Sequence, residues 1–518
     1  MTPLQIFVLL PDPRAPASHE RKLLEILSSD DRYRLAGLIE ARQSSQRAPT
    51  LTGAVIALEA AVLAPERARA TPAFDRLRRS VPIFREAEAE IGPRGAAIDV
   101  IVDLTADGAA PHLAASARFG VWRLSPCDRL AGFREAARGA ATVGVDLVRR
   151  TASSPQGETI ARAEFNLKFG ASRNAAALRH NSIALLRREL ARLHATRRDP
   201  LGVVAPAPRK PPSLLDLARY EGRFLAGLVA RAAHAAADRL QLRPRMWALM
   251  AADGAPETFD PRRGRPIAGV GDGFCADPFL LKRDDGLFLF YEAYDYAAKR
   301  GHISVAKHDG KDFAPIGVAL KADYHLSFPF VFAVGDDFFM MPETHQAKRL
   351  EIWRATNFPT GWTPHATALS GVACADSAIV FHRGAWWLFT NISDDDYNDF
   401  CSELHLYRMD GPLLENLTPH PLNPVVVDAR RARGAGRVFE RDGRLFRMSQ
   451  DNEGEGYGYG VNIMEITQLD MSDYQEKVVR TIRPTFDPAL IGCHHIDFAD
   501  DFVVFDVCKR FGGRADGQ

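Results

Sequence analysis

One strand–turn–strand phrase recurs through the second half of this 518-residue chain. ADPFLLKRDDGLFLFYE (276–292) matches SFPFVFAVGDDFFMMPE (327–343) without a gap. ADSAIVFHRGAWWLFTN (375–391) matches again, and GRVFERDGRLFRMSQ (436–450) matches with a shorter turn. HHIDFADDFVVFD (494–506) is a fifth, weaker copy. Each copy is a short apolar run, a tight polar turn and a second run, which is the pattern of paired strands. The copies lie about 50–60 residues apart, room for a four-stranded sheet each. Repeats of that length built from short strands predict a β-propeller of five blades. Met246–Ala251 (MWALMA) precedes the first copy and is expected to supply the outer strand that closes the ring.

In a propeller the innermost strand of each blade lines a central channel, so equivalent repeat positions form rings. One ring should hold Asp277, Phe328, Asp376, Arg437 and His495. A second, at the end of the next strand, should hold Glu292, Glu343, Asn391, Gln450 and Asp506. A lone Asp before Pro is a common turn opener. Polar residues at matched positions in several repeats are different, because they converge on one concave site.

The first half has another character. Candidate strands Leu4–Leu10, Tyr33–Glu40, Ile98–Leu104 and Gly120–Leu124 alternate with helical patterns such as Glu20–Leu27 and Gly53–Val62. That alternation predicts an α/β domain with a parallel sheet. Ser172–Ala195 reads as one surface helix with a solvated basic face. The divisions expected are therefore an α/β domain over 1–195, a Pro-rich linker and helix over 196–244, and an all-β propeller over 245–512. The helix, about Leu214–Leu240, either packs across a domain boundary or lies on a membrane surface.

Bulk properties narrow the partners. Lys+Arg number 66 against 65 Asp+Glu, so nothing draws the chain to nucleic acid. The six cysteines form no CxxC pair. MTPLQIFVLLPD reads as a first strand, and no apolar run approaches the roughly 20 residues of a membrane span. A cytoplasmic location is the expectation.

The stretches GDGFCADPFL, YHLSFPFVF, MMPE, ADSAIVF, GRVF ending in SQD, and CHHIDF resemble the propeller-shaped N-terminal domain of glucosamine inositolphosphorylceramide transferase and its bacterial relatives, over about residues 245–510. More distantly, the same half is similar to five-bladed propeller glycosidases that act on furanosides. That resemblance implies an Asp near the start of the first blade, a second Asp that tunes it, and a Glu acid. Asp277 matches the first by position, with Asp376 and Glu343 as candidates for the others. In the first half LQIFVLLPD, IDVIVDLT, FGVWRLSP and FREAARGAATVGVDLVRR resemble the formyltransferase fold. That family needs an Asn and a His after its fourth strand and an Asp further on. Here the positions read Val121 to Pro126 and Ser154 to Gly157, without them. No group remains to manage the amine and the tetrahedral intermediate. The expected domain is thus a degenerate, Rossmann-like formyltransferase-like scaffold.

Glycosyl chemistry needs a carboxylate to activate the incoming group and an acid for the leaving oxygen, unless a phosphate departs unaided. Asp277 is the candidate base or nucleophile, Glu343 or Glu292 the acid, and Asp376 a tuning group. Arg437 is placed to hold a carboxylate or phosphate, with Arg430, Arg431 and Arg433 adding basic character to the rim. Glu292, His325, Asn391, Gln450, His494 and His495 are candidate substrate-binding groups. His325, His494, His495 and Asp497 fit no metal template, and neither metal nor cofactor is expected. Cys275, Cys374 and Cys493 read as packing residues, and GEGYGYG (454–460) as an aromatic loop over the channel. The reading is a carbohydrate-active enzyme, first a glycosyltransferase in surface-glycan or glycolipid assembly. Its partners would be a sugar or nucleotide-sugar donor and a glycan or lipid-linked acceptor, with possible peripheral membrane contact. The alternatives are a non-catalytic sugar-binding protein and a furanosidase-like glycosidase.

Overall fold

The computed structural model describes residues 2–42, 51–62, 80–86, 97–105, 112–206, 211–239, 245–268, 270, 273–394, 397–453 and 457–510. Part of the aromatic loop (454–456), Leu240, 271–272 and 511–512 lie outside the described residues. The chain forms two compact units, Met1–Leu228 and Val229–Gln518.

The first unit is built on one sheet. Its strands are β1 (Leu4–Leu10), β2 (Tyr33–Glu40), β3 (Ile83–Arg85), β4 (Val100–Asp103), β5 (Val121–Ser125), β6 (Thr142–Arg150), β7 (Glu158–Asn166) and β8 (Val203–Val204). They lie in the order β3-β2-β1-β4-β5-β6-β7-β8. β1 to β5 pair in parallel, and β6, β7 and β8 add antiparallel. The 3-2-1-4-5 part is a doubly wound order. Central strands buried on both faces read as continuous apolar runs, and LQIFVLL of β1 is one. The sheet is therefore mixed rather than wholly parallel.

The single surface helix predicted over Ser172–Ala195 is two helices, Ala171–Asn181 and Ile183–Thr196. The second buries Leu185, Leu186, Leu190 and Leu193, and even Arg188, whose Nε donates to Glu189 at 2.9 Å. Arginines paired inside the unit look in sequence like a solvated basic face. A long helix, Leu214–Arg239, follows, close to the expected span.

The second unit is a five-sheet propeller. Blade 1 is β11 (Cys275–Arg283), β12 (Gly286–Asp295), β13 (Arg300–His308) and β14 (Phe313–Leu320), with β9 (Arg245–Asp253) and β10 (Arg265–Pro266) preceding it. Blade 2 is β15 (Ser327–Val334), β16 (Asp337–Glu343), β17 (Leu350–Asn357) and β18 (Gly361–Ala368). Blade 3 is β19 (Ala373–His382), β20 (Ala385–Ser393), β21 (Glu403–Met409) and β22 (Thr418–Pro419), with β23 (Val426–Val427) also on β21. Blade 4 is β24 (Gly434–Arg441), β25 (Arg444–Asp451), β26 (Gly460–Leu469) and β27 (Tyr474–Ile482). Blade 5 is composite. β28 (Leu490–Gly492), β29 (Ile496–Ala499) and β30 (Phe502–Arg510) come from the late chain, and β9 and β10 from the early chain. β9 pairs antiparallel with β30 and carries β10 on its other edge. The MWALMA segment thus closes the ring, but as the next-to-outer strand.

The first strands β11, β15, β19, β24 and β29 adjoin one another around the axis. Faces between blades are filled by large aromatics such as Phe279, Phe328, Phe330, Trp387 and Phe389, all buried. Each such side chain contributes roughly 1.5–3 kcal/mol of burial free energy.

At the same place in three blades the ladder skips: between Ala276 and Phe279, Ser327 and Phe330, and Ala375 and Ala378. Asp277, Phe328 and Asp376 occupy these bulges with φ of 51°, 45° and 46°. Left-handed backbone at a non-glycine residue is uncommon and clusters at functional sites. A bulge re-aims one side chain out of the strand's alternation. In blade 4 the skip runs from Gly434 to Val438, and Gly436 takes the positive φ.

Candidate functional site in the propeller

The bulges bring carboxyl groups of blades 1, 2 and 3 together. Asp277, Glu292, Glu343 and Asp376 are each at most 6% exposed. Hydrogen bonds pass from blade to blade. Asp277 Oδ2 accepts from Phe328 N–H at 3.1 Å, Glu343 Oε2 from Asp376 N–H at 3.3 Å, and Asn391 Oδ1 from Gly434 N–H at 2.9 Å. Asp506 of blade 5 likewise accepts from Asp277 N–H of blade 1 at 3.2 Å, so four of the five blade junctions carry such a bond.

Against these acids stands one buried guanidinium. Arg433 Nε donates to Asp376 Oδ2 at 2.6 Å, and its Nη2 lies 3.6 Å from Glu343 Oε2. Its side chain is sandwiched by the rings of Tyr457 and Phe400, 4.6 and 5.9 Å from their centroids. Gly434 must be glycine, since a Cβ there would stand 2.9 Å from Asp376 Cβ. The loop is pinned from behind. Asn391 Nδ2 donates to Glu403 O and Ala432 O at 2.7 and 3.0 Å, and Arg447 donates to Arg431 O at 2.7 Å.

Glu343 is the ionised member. Burial opposes its charge, but a 2.6 Å contact with His345 Nδ1 and the charge of Arg433 outweigh it, holding it at about 2. Asp376 and Glu292 are pushed up. For Asp376 the cause is burial, countered by Arg433 and reinforced by the charges of Glu343 and Asp277. Arg433 sits closer to Asp376, yet Glu343 has two further donors and carries the charge. For Glu292 burial and four neighbouring carboxyls act in the same direction. Asp277 is raised to about 6 by burial, against the pull of His494.

His494 is the other charged partner. Its Nε2 lies 3.3 Å from Asp277 Oδ1 and its Nδ1 2.7 Å from Asp506 Oδ2. Burial disfavours its proton, but Asp506 more than compensates and raises it. Trp247 packs on the ring, centroids 4.0 Å apart. Asp277, His494 and Asp506 each present one ligand atom within 4.8 Å of the others. Two carboxylates and an imidazole suit a divalent cation. With His494 protonated, the same three groups are satisfied as an ion-pair chain.

Several sequence expectations need correction. Arg437 is already committed within the protein: its guanidinium pairs with Asp497 and donates to Leu280 O at 3.0 Å. In register it matches Pro278, and Gly436 takes the position of Asp277, because the blade 4 bulge is one residue longer. Ser449, not Gln450, takes the position of Glu292, pairing with Gly434 as Glu292 pairs with Ala276. Gln450 is buried, and its backbone N–H donates to Arg433 O at 2.8 Å. Asn391 spends its amide on backbone and offers none to a ligand. His494 has its two ring nitrogens on Asp277 and Asp506, and His495 is 0% exposed, so neither offers a donor to a sugar. His495 is held neutral, at about 3, chiefly by burial among Phe279 and Phe328. Glu343, with His345 and Arg433 against its oxygens, is set up as a charged group rather than as the acid. Arg430 and Arg431 are taken by Asp428. Asp497 belongs to Arg437 rather than to the histidines. Asp277, Glu343, Asp376 and Glu292 do share one site, and His325 borders it with its Nε2 3.4 Å from Glu292.

Sequence reasoning under-weighted Arg433, His345 and Tyr457. Arg433 lies three residues before one repeat copy, and His345 two residues past another. A search of the residues flanking each copy would have found both.

Residues 265–485 match the family described as glucosamine inositolphosphorylceramide transferase 1, N-terminal. The chain is 36% identical over 217 residues to glucosamine inositolphosphorylceramide transferase 1 of Arabidopsis thaliana, covering 40% of this chain and 28% of that protein. It is 35% identical over 212 residues to the protein of that name from Oryza sativa subsp. japonica, with the same shares. The chain thus spans under a third of the length of these relatives. Among solved structures, the α-L-arabinofuranosidase of Lactobacillus brevis aligns with a TM-score of 0.35 at 13% identity, over 47% of this chain and 92% of that one. The catalytic domain of a GH62 α-L-arabinofuranosidase from Coprinopsis cinerea aligns with 0.35 at 11%, over 50% and 97%.

Proposed function

We propose that the propeller channel is a carbohydrate-active site that transfers a glycosyl group in surface-glycan or glycolipid assembly, with Asp277 as the base that activates the acceptor hydroxyl. One observation carries the reading: a buried cluster of four carboxyls with one guanidinium, in which Asp277 is poised at about 6. A base near the operating pH removes a proton effectively and is still ionised. The relation of residues 265–485 to the N-terminal part of proteins named as glycolipid transferases supports the same direction.

The donor is a sugar or nucleotide sugar, and the acceptor a glycan or lipid-linked glycan. Leu214, Leu215, Leu225 and Val229 are 58–72% exposed on the long helix and would provide a peripheral membrane contact for a lipid-linked acceptor. A cytoplasmic setting belongs to this proposal. So does a formyltransferase-like origin for the first unit, acting as a scaffold.

The test is turnover with a panel of donors and glycan acceptors, for the native chain and Asp277→Asn. Loss of turnover in the variant with retained glycan binding supports the proposal. Equal turnover in both removes Asp277 from the chemistry. Glycan binding without turnover in either makes the propeller a sugar-binding module.

A further inference from the structure

Glu292 and Glu343 end the second strands of blades 1 and 2 at matched positions. Their surroundings are opposite. Glu343 meets His345 through Oε1 at 2.6 Å, and through Oε2 it meets the N–H of Asp376 at 3.3 Å and Arg433 at 3.6 Å. Both of its oxygens are engaged by groups that favour a carboxylate.

Glu292 meets one imidazole, His325, whose Nε2 lies 3.4 Å from Oε1. The N–H of Gly301 donates to His325 Nδ1 at 2.8 Å. Nδ1 is therefore an acceptor, and the single ring proton sits on Nε2, facing Glu292. Charging the ring would mean protonating Nδ1 and giving up that backbone bond. His325 is accordingly held neutral, and burial lowers its basicity further. Gly301 is what lets the three groups meet. A Cβ there would stand 2.6 Å from Glu292 Oε1, 2.6 Å from Leu326 O and 2.7 Å from His325 Cε1. The carboxyls of Asp277, Glu343, Asp506 and Asp376 act on Glu292 most strongly, all in the same direction, and the Cys275 thiol also lies within its reach. Among the described residues, the basic group paired with it is the His325 imidazole.

We infer that Glu292, rather than Glu343, is the acid of this site, and that His325 with the Gly301 N–H is a positioning pair that orients its carboxyl without charging it. The inference rests on the glycosyl-transfer reading above and names its donor class. A diphosphate departs without an acid, whereas an alkoxide does not. Of the donors named above, a nucleotide sugar is thereby set aside: the donor is an O-glycoside whose leaving group is an alcohol. As the glycosidic C–O bond breaks, Glu292 O–H passes its proton to the departing oxygen. Asp277 accepts the proton of the incoming hydroxyl as the new C–O bond forms. The step ends with Glu292 ionised and Asp277 protonated, and proton exchange with solvent restores both.

Two measurements on the full chain test this. The infrared carbonyl band of protonated carboxyl groups, recorded in D2O at neutral pH, should diminish in Glu292→Gln and persist in Glu343→Gln. The reverse pattern overturns the assignment. In turnover, Glu292→Gln should slow transfer from alkyl glycosides by roughly 10²–10⁴-fold and from 4-nitrophenyl glycosides far less, since nitrophenolate leaves unassisted. Equal slowing of both overturns the acid role. A native chain that turns over neither class, with the band still lost in Glu292→Gln, sinks the transfer reading and leaves Glu292 a protonated binding group. His325→Gln should shift the pH profile of the alkyl substrate; an unchanged profile removes its positioning role.

Discussion

Arg433 donates to Asp376 at 2.6 Å while its second nitrogen stands 3.6 Å from Glu343, so one guanidinium ties blades 2 and 3 together at the channel. A buried cation shared by two carboxyls cannot be removed quietly. Arg433→Ala should cost about 3–5 kcal/mol in urea unfolding, because it strands buried negative charge. It should also raise Glu343 from about 2, since Arg433 is one of the groups holding it down. A loss under 1 kcal/mol would mean the cluster is hydrated and open.

Asp277 titrates at about 6, and a base works only when ionised. Turnover should therefore climb as pH rises through about 6. Stability should move the other way. The folded state holds this proton more tightly than the unfolded chain, where Asp titrates near 3.9. The group's contribution is fully present below about 4 and is lost as pH rises through about 6. A rate profile flat across this window would contradict the role.

His494 favours the charged form of Asp277. In His494→Gln the ascending limb of the pH–rate profile should shift to higher pH. An unmoved limb, in a variant shown to be folded, would uncouple the two residues.

Asn391 was read from the repeat as a ligand contact, and the fold uses it as a brace. Asn391→Ala leaves Ala432 O, Glu403 O and Gly434 N–H without their partner. The unfolding midpoint should fall by an amount equivalent to about 1–3 kcal/mol. A change confined to KM, with stability intact, would restore the original reading.

Arg437→Met tests the other reassignment. The variant strands Asp497 at 0% exposure and should be destabilised by ~3 kcal/mol or more, with no change in sensitivity to phosphate. Phosphate protection of the native chain that disappears in the variant would show the opposite.

The repeat made the propeller legible because strands and tight turns leave a local record. Blades 1 to 3 share one bulge length, so their copies align without a gap and place Asp277 with Asp376, and Glu292 with Glu343, at matched positions. Blade 4 has one extra residue in its bulge and one fewer in each strand between bulge and turn, so an alignment that shortens the turn instead misplaces Arg437 and Gln450. What the side chains touch was not legible. His325 and His345 look alike in sequence, and only the Gly301 N–H and the neighbourhood of Arg433 separate their roles. The buried helix Ile183–Thr196 was misjudged for a related reason: an arginine's composition is visible, but its partner is not.

The antiparallel seam between β9 and β30 joins residues about 250 positions apart. It makes the propeller's completion wait on β30, the latest of the propeller's described strands in chain order. At translation rates of roughly 5–20 residues per second, β9 spends tens of seconds without its partner edge. Throughout that interval it is an open strand with MWALMA on it, and a growing chain would need that edge shielded until Phe502–Arg510 emerges.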